Sequence, residues 1–126
     1  MRGRRDERGA AVVEFALVLP ILVLFVFGIV SFGQAYNARI ELTSAVREGA
    51  RVAALGGTAS DVSQRTRDAA PGLTAGLITV TSTLCTATPA PANGTVTASY
   101  PFVIDIPLFG TRARTLTAKG VMRCGG

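Results

Sequence analysis

Polar and apolar positions divide the chain into blocks with different periodicities. Residues 1–9 (MRGRRDERG) are polar and basic. From Ala10 to Gly33 the chain reads AAVVEFALVLPILVLFVFGIVSFG, with Glu14 as its single charge, and residues 15–38 carry none. These 24 residues, at about 1.5 Å each, give a helix of about 36 Å, enough to cross a hydrocarbon core of about 30 Å. The block is therefore read as a transmembrane helix. An ordinary secretory signal has an apolar core of about 7–15 residues followed by a small-residue A-x-A site, and this run is longer with no such site directly after it. Pro20, inside the run, deprives the Ala16 carbonyl of its helical donor, so a mild kink is expected.

Residues 34–55 (QAYNARIELTSAVREGARVAAL) contain no Pro and continue the helical pattern. Tyr36, Ile40, Thr43, Ala50, Ala53 and Ala54 approximate one apolar stripe, and Leu42, Ala45, Val46 and Ala50 another. Arg39, Glu41, Arg47, Glu48 and Arg51 fall largely off that face. One helix over about 10–55 is the simplest reading, lipid-facing in its first half and amphipathic in its second, with Gly56-Gly57 as its C-cap. A short second helix is expected from Asp61, where Asp61-Val62-Ser63-Gln64 fits a relaxed capping box, to Pro71-Gly72.

Beyond that point the period changes to two. Leu77–Leu84 alternates apolar residues with Thr, as a half-buried strand does. Residues 87–94 (ATPAPANG) form a turn-rich loop whose Asn93-Gly94 is a hairpin signal. A second strand is expected over about 95–104, with Pro101 at an edge or bulge. A loop over Ile106–Gly110 and a third strand over about 112–124 follow. No internal repeat is visible. The fold class is α+β: a long N-terminal helix with an amphipathic stem, a short second helix, then a small three-stranded antiparallel or mixed sheet. The segments are a leader (1–9), a span (10–33), a stem (34–55) and a small exported domain (56–126).

Charge sets the expected orientation. Arg2, Arg4, Arg5 and Arg8 precede the span, whereas the first basic residues after it are Arg39 and Arg47. The N-terminus is therefore expected in the cytoplasm and the C-terminal portion outside it, with Arg4, Arg5 and Arg8 as orientation residues. Tyr36 suits the headgroup region. The formal net charge of +5 does not point to nucleic acid, because the Arg residues form no stripe interleaved with aromatics and no recognition motif is present.

Candidate chemistry is sparse. The 126 residues include no His, no Trp and two Cys, which removes most zinc sites, His-based acid–base catalysis and Ser/His/Asp triads. Glu41, Glu48, Asp61, Asp68 and Asp105 are the carboxylates after the span, and none forms a motif with Ser or Cys. No catalytic residue, metal, cofactor or small-molecule substrate is expected. An exported domain can oxidise Cys85 and Cys124, and closing a loop of about 40 residues would stabilise by about 4 kcal/mol in the chain-entropy model. Reduced, unrelated thiols are the alternative. In a simple meander, strands one and three lie about 9.6 Å apart, beyond the roughly 7 Å limit for disulfide Cα atoms. A bridge therefore requires those strands to be neighbours, or to be joined beyond the paired region.

The informative spacing is at the start of the span. Gly9 ends the basic leader, and five residues later Glu14 places a carboxylate in an apolar run, where a central charge costs about 2.5–3.5 kcal/mol. Snorkelling lowers that cost, because Glu14 is only about 6 Å along the axis from Ala10. Cleavage after Gly9 would supply a partner, since Ala10 would gain a free amine one turn away, on the same chain or on a neighbouring subunit.

Gly9, the mostly apolar residues after it, Glu14 and the long apolar helix resemble the class III leader of type IV pilins and pseudopilins. Residues 4–55, with EFALVLP at the entrance and AVREGAR (Ala45–Arg51) beyond the span, resemble the TadE-like minor pilins of tight-adherence (Flp) pilus systems. The later YPF, PLFG, RTLTA and MRC pieces are similar to the same family. The resemblance implies that Gly9 precedes the prepilin-peptidase cut, that Ala10 becomes the mature N-terminus, and that Glu14 is the assembly carboxylate. It implies a structural role in pilus assembly, with membrane lipid, other pilus-assembly proteins, pilin subunits and a prepilin peptidase as partners. Major pilins of these systems are much shorter and often carry Glu-Tyr where this chain has Glu14-Phe15, so the main filament subunit is not implied. The expected location is the cytoplasmic membrane in a single pass, with incorporation into surface pili open. A single-span anchor carrying an exported binding or adhesion module is the alternative. AVREGAR reads by default as a solvated helix face, while the resemblance adds a contact from stem to globular domain or subunit.

Overall fold

The computed structural model describes residues 3–125, with side chains from Glu7 onward. The side chains of Arg4 and Arg5, and all of Arg2, lie outside the described residues. Helix α1 runs from Gly3 to Ala54, 52 residues without a break. It begins well before Ala10, because the Arg and Glu residues among positions 4–8 are good helix formers. It also continues through Pro20. Helix α2 (Ala59–Asp68) follows, then a short 3-10 turn (Ala75–Leu77) and strands β1 (Thr79–Thr83), β2 (Asn93–Ile106) and β3 (Gly110–Arg123). The sheet is an antiparallel meander in the order β1-β2-β3.

The second stem stripe (Leu42, Ala45, Val46, Ala50) is buried throughout, and the first only at its C-terminal end, at Ala50, Ala53 and Ala54. Leu42, Ala45, Val46, Ala50 and Ala53 join Val62, Ala70, Ile78, Val96, Ala98 and Ala118 in a single core. Tyr36 and Ile40, assigned to the other stripe, are 60% and 50% exposed. They sit on a part of α1 that turns away from the sheet. Six of the eleven core residues are Ala, so α1 and the sheet meet across small side chains. Gly120 carries this furthest: a Cβ there would clash with the Val46 carbonyl oxygen. Gly49 does the same for α2, since its Cβ would meet the Thr66 hydroxyl.

Helix α2 starts at Ala59 and not at Asp61. Thr58 is the N-cap and Asp61 is the third helical residue, completing a capping box. The Asp61 N–H donates to the Thr58 hydroxyl oxygen at 3.2 Å, and the Thr58 N–H donates to the Asp61 carboxylate at 3.0 Å. From sequence the cap is expected at Asp61, because a box normally ends in Glu or Gln. Here the Thr58 hydroxyl also donates to the same carboxylate at 2.7 Å. That bond, then the backbone one, holds the Asp61 carboxyl below its ordinary value. A lowered folded value means that this support for α2 is complete above the unfolded pKa of about 3.9 and is lost as pH falls through the folded value. Thr58→Ala should cost about 1 kcal/mol. The stability gap between wild type and Asp61→Asn, followed by urea titration of the detergent-solubilised chain, should hold from pH 7 to about 4 and close below. A gap unchanged down to pH 2 would contradict the assignment.

In β1, Val80 and Ser82 are half-buried while Thr79, Thr81 and Thr83 are exposed, as the alternation requires. Asn93-Gly94 is not a turn. Both residues lie in β2, paired with Arg123 and Met122. β1 pairs with β2 only as far as Ser99, so Pro101 sits where β2 has lost its neighbour on that side and its missing N–H breaks no ladder there. Beyond Ser99, β2 and β3 continue alone as a long hairpin. Its loop, Pro107-Leu108-Phe109, is closed by the Phe109 N–H donating to the Ile106 carbonyl at 3.1 Å. Gly110 (φ +82°) and Leu108 (φ +73°) both adopt the left-handed region.

Candidate functional site

Gly9, Ala10 and Glu14 lie within about one and a half turns of α1. Gly9, Ala10 and Glu14 are all exposed. Ala10 and Glu14 are four residues apart, which places them on one side of the helix about 6 Å apart along the axis. A Cβ at Gly9 would meet nothing within 4 Å, so no packing contact requires glycine there. Arg8 is exposed beside it. From Val12 to Phe32 the large apolar side chains are exposed around the helix, among them Phe15, Leu17, Phe25, Ile29 and Phe32. The helix is long and apolar enough to cross a membrane, and none of its most apolar window is buried.

The stem is built differently. In AVREGAR, Ala45, Val46, Gly49 and Ala50 are buried against α2 and the sheet, while Arg47 and Arg51 stay exposed. Glu48 reaches Arg65 of α2 at 3.6 Å, a partly exposed pair worth at most about 1 kcal/mol. The motif is thus part solvated face and part contact with the following helix, a split the charge pattern alone did not reveal. Glu41, one turn earlier, accepts a hydrogen bond from the Gly72 N–H and ties down the segment after α2. Arg67 donates to the Ile78 carbonyl at 3.3 Å and fixes the entry to β1. The roles of Gly49, Gly120 and Gly72 were not legible from composition, because each depends on a partner far away in sequence.

Cys85 and Cys124 form a disulfide with Cα atoms 5.6 Å apart. Cys85 lies two residues past the end of β1 and Cys124 one past β3, where the Cys124 N–H donates to the Ala92 carbonyl at 3.1 Å. The bridge therefore joins the outer strands at the margin of the paired region, which reconciles it with a meander. A Cβ at Gly94 would come within 3.2 Å of the Cys85 sulfur and 3.3 Å of the Ala53 Cβ. The bare glycine lets the bridge and the end of α1 close together over β2. Among the described residues no group of three or more His, Cys, Asp or Glu is placed to hold a metal ion.

Residues 9–51 match the family model described as TadE-like protein. This part of the chain is similar to that family. No curated protein and no solved structure matches the chain. The TadE-like segment starts at Gly9, contains the whole exposed apolar run and Glu14, and ends at Arg51, the last residue of AVREGAR. It stops before the disulfide and the sheet. The match is to a Tad pilus-associated family that is structural rather than enzymatic.

Proposed function

We propose that this chain is a minor pilin or pseudopilin, a structural component needed to assemble a tight-adherence pilus. Residues 10–33 anchor it in the cytoplasmic membrane, the basic leader stays inside, and the C-terminal domain is exported. The observation that carries this reading is Glu14, a carboxylate exposed on an otherwise apolar helical surface, one turn from Ala10 and five residues after Gly9. A carboxylate in that setting needs a cation, and an α-amine freed at Ala10 is the cation that the spacing supplies. The open space around Gly9 supports the reading, because a glycine that the fold does not need is accounted for by a peptidase that must accommodate it. Arg4, Arg5 and Arg8 hold the leader on the cytoplasmic side. Lipid, pilin subunits, other assembly proteins and a prepilin peptidase are the partners of this mechanism.

The test separates cleavage from assembly. Gly9→Leu should leave residues 1–9 attached, read by mass spectrometry of the N-terminus, without preventing membrane insertion. Glu14→Ala makes the helix more apolar, so insertion should be equal or better. It leaves an Ala10 ammonium unpaired in apolar surroundings, a cost of about 2–3 kcal/mol, or roughly 30- to 150-fold in subunit docking. Pili counted on cells should fall accordingly, while cleavage proceeds. An anchor carrying an independent binding module would tolerate both substitutions, and wild-type pilus numbers for each variant would sink the proposal.

A further inference from the structure

The β2–β3 hairpin does not stop at the domain. Ile104, Ile106 and Pro107 share one groove with Leu24, Phe27, Gly28, Ser31, Phe32 and Ala35 of α1. Higher up, Phe102 to Asp105 line a groove with Phe27, Val30, Ser31 and Gln34. The tip therefore lies level with Leu24–Gly28, about 21–27 Å along α1 from Ala10. A hydrocarbon core of about 30 Å measured from Ala10 ends near Val30, and measured from Glu14 it ends near Gln34. On either origin the tip falls inside it.

The chemistry of the tip matches that depth. Ile106 to Gly110 carries no charge, and Leu108 and Phe109 are 93% and 69% exposed. Pro107 has no N–H, and that of Phe109 is already bonded, so the turn brings few unpaired donors into an apolar medium. Charge appears only above it. Arg112 and Arg114 are exposed on β3, about 7 and 13 Å above Gly110, and can raise their guanidinium groups to lipid phosphates. Asp105, paired with Thr111 on the sheet face opposite to Ile104, limits insertion to the residues after it.

Resting on the reading of residues 10–33 as a membrane anchor, we infer that residues 106–110 of the β2–β3 hairpin insert into the outer leaflet beside α1, with Arg112 and Arg114 at the phosphate level. The domain then holds the membrane at two places, the helix and the hairpin tip.

The chain has no Trp, so one introduced Trp reports alone. Three full-length variants, Phe25→Trp, Phe109→Trp and Val121→Trp, are reconstituted in phosphatidylcholine/phosphatidylglycerol vesicles. Phe25 is in the anchor, and Val121 is exposed at the far end of β3. Phe109→Trp should be quenched by lipids brominated near the headgroup to at least half the extent of Phe25→Trp. It should also be several-fold less accessible to iodide than Val121→Trp. Iodide quenching equal to that of Val121→Trp overturns the inference. Shielding from both quenchers overturns it too, in favour of a protein neighbour such as a second copy. If Phe25→Trp is itself untouched by brominated lipid, the anchor reading fails along with it, whereas a normal Phe25→Trp with a solvent-exposed Phe109→Trp removes only the hairpin insertion.

Discussion

Replacing both Cys85 and Cys124 with serine is expected to destabilise the C-terminal domain by about 4 kcal/mol. The bridge spans 39 residues, and the loop it closes contains β2 and β3. Its weight is large here because the core is thin. Six of the eleven clustered residues are Ala, each burying far less apolar surface than a Leu or Ile. Single domains are stable by only about 5–15 kcal/mol, so the bridge supplies a major share. Urea unfolding of the full chain in detergent should show the serine variant and the reduced wild type shifted together to a lower midpoint. A shift worth less than about 1 kcal/mol in both would remove the bridge as a principal source of stability.

Gly120→Val is expected to cost about 3 kcal/mol or more. The added Cβ would clash with the Val46 carbonyl oxygen and lie 2.8 Å from its carbon and 3.2 Å from the Arg47 nitrogen. These are backbone atoms in mid-helix and cannot rotate away as a side-chain tip could. The sheet must lift from α1, and Val96, Ala98 and Ala118 lose contact with the helix as it does. Gly28→Ala is the control, because a Cβ there meets nothing and alanine suits a helix better by about 1 kcal/mol. Limited proteolysis should cut β2 and β3 in the Gly120→Val chain and leave them intact in the control. Equal resistance would show that the helix–sheet gap is wider than the backbone positions indicate.

The elements that were legible in the sequence are those whose pattern repeats. The uncharged run after Glu14, the stripe of Leu42, Ala45, Val46 and Ala50, and the Thr alternation after Leu77 each repeat a local period, and α1 and β1 follow from them. A single dipeptide is a weaker guide than a repeated period. Asn93-Gly94 has the composition of a tight turn, yet Gly94 is needed in β2 because a disulfide and the end of α1 press on it from one side. Tyr36 and Ile40 fit a helical stripe, but a stripe is buried only where another layer covers it. The length of the hairpin was hidden for a related reason: pairing with β1 stops at Ser99, while pairing with β3 runs on through Pro101 to Ile106. At the leader junction, the sequence supplies the spacing of Gly9, Ala10 and Glu14. The structure adds that these residues are exposed and that nothing packs where a Gly9 side chain would go.

The unbroken course of α1 from Gly3 to Ala54 ties rotation to position. Each residue of an α-helix turns the chain by about 100° and advances it by about 1.5 Å. Between Gly33 and Ala38 no loop interrupts that screw, so the azimuth of the sheet around the helix axis is fixed by the azimuth of the apolar segment. A subunit held at Glu14 by a neighbour would present its sheet in one compass direction. Fixing the rotation of the apolar segment fixes the heading of the sheet, so subunits docked identically through their helices would all turn their sheets the same way relative to those contacts.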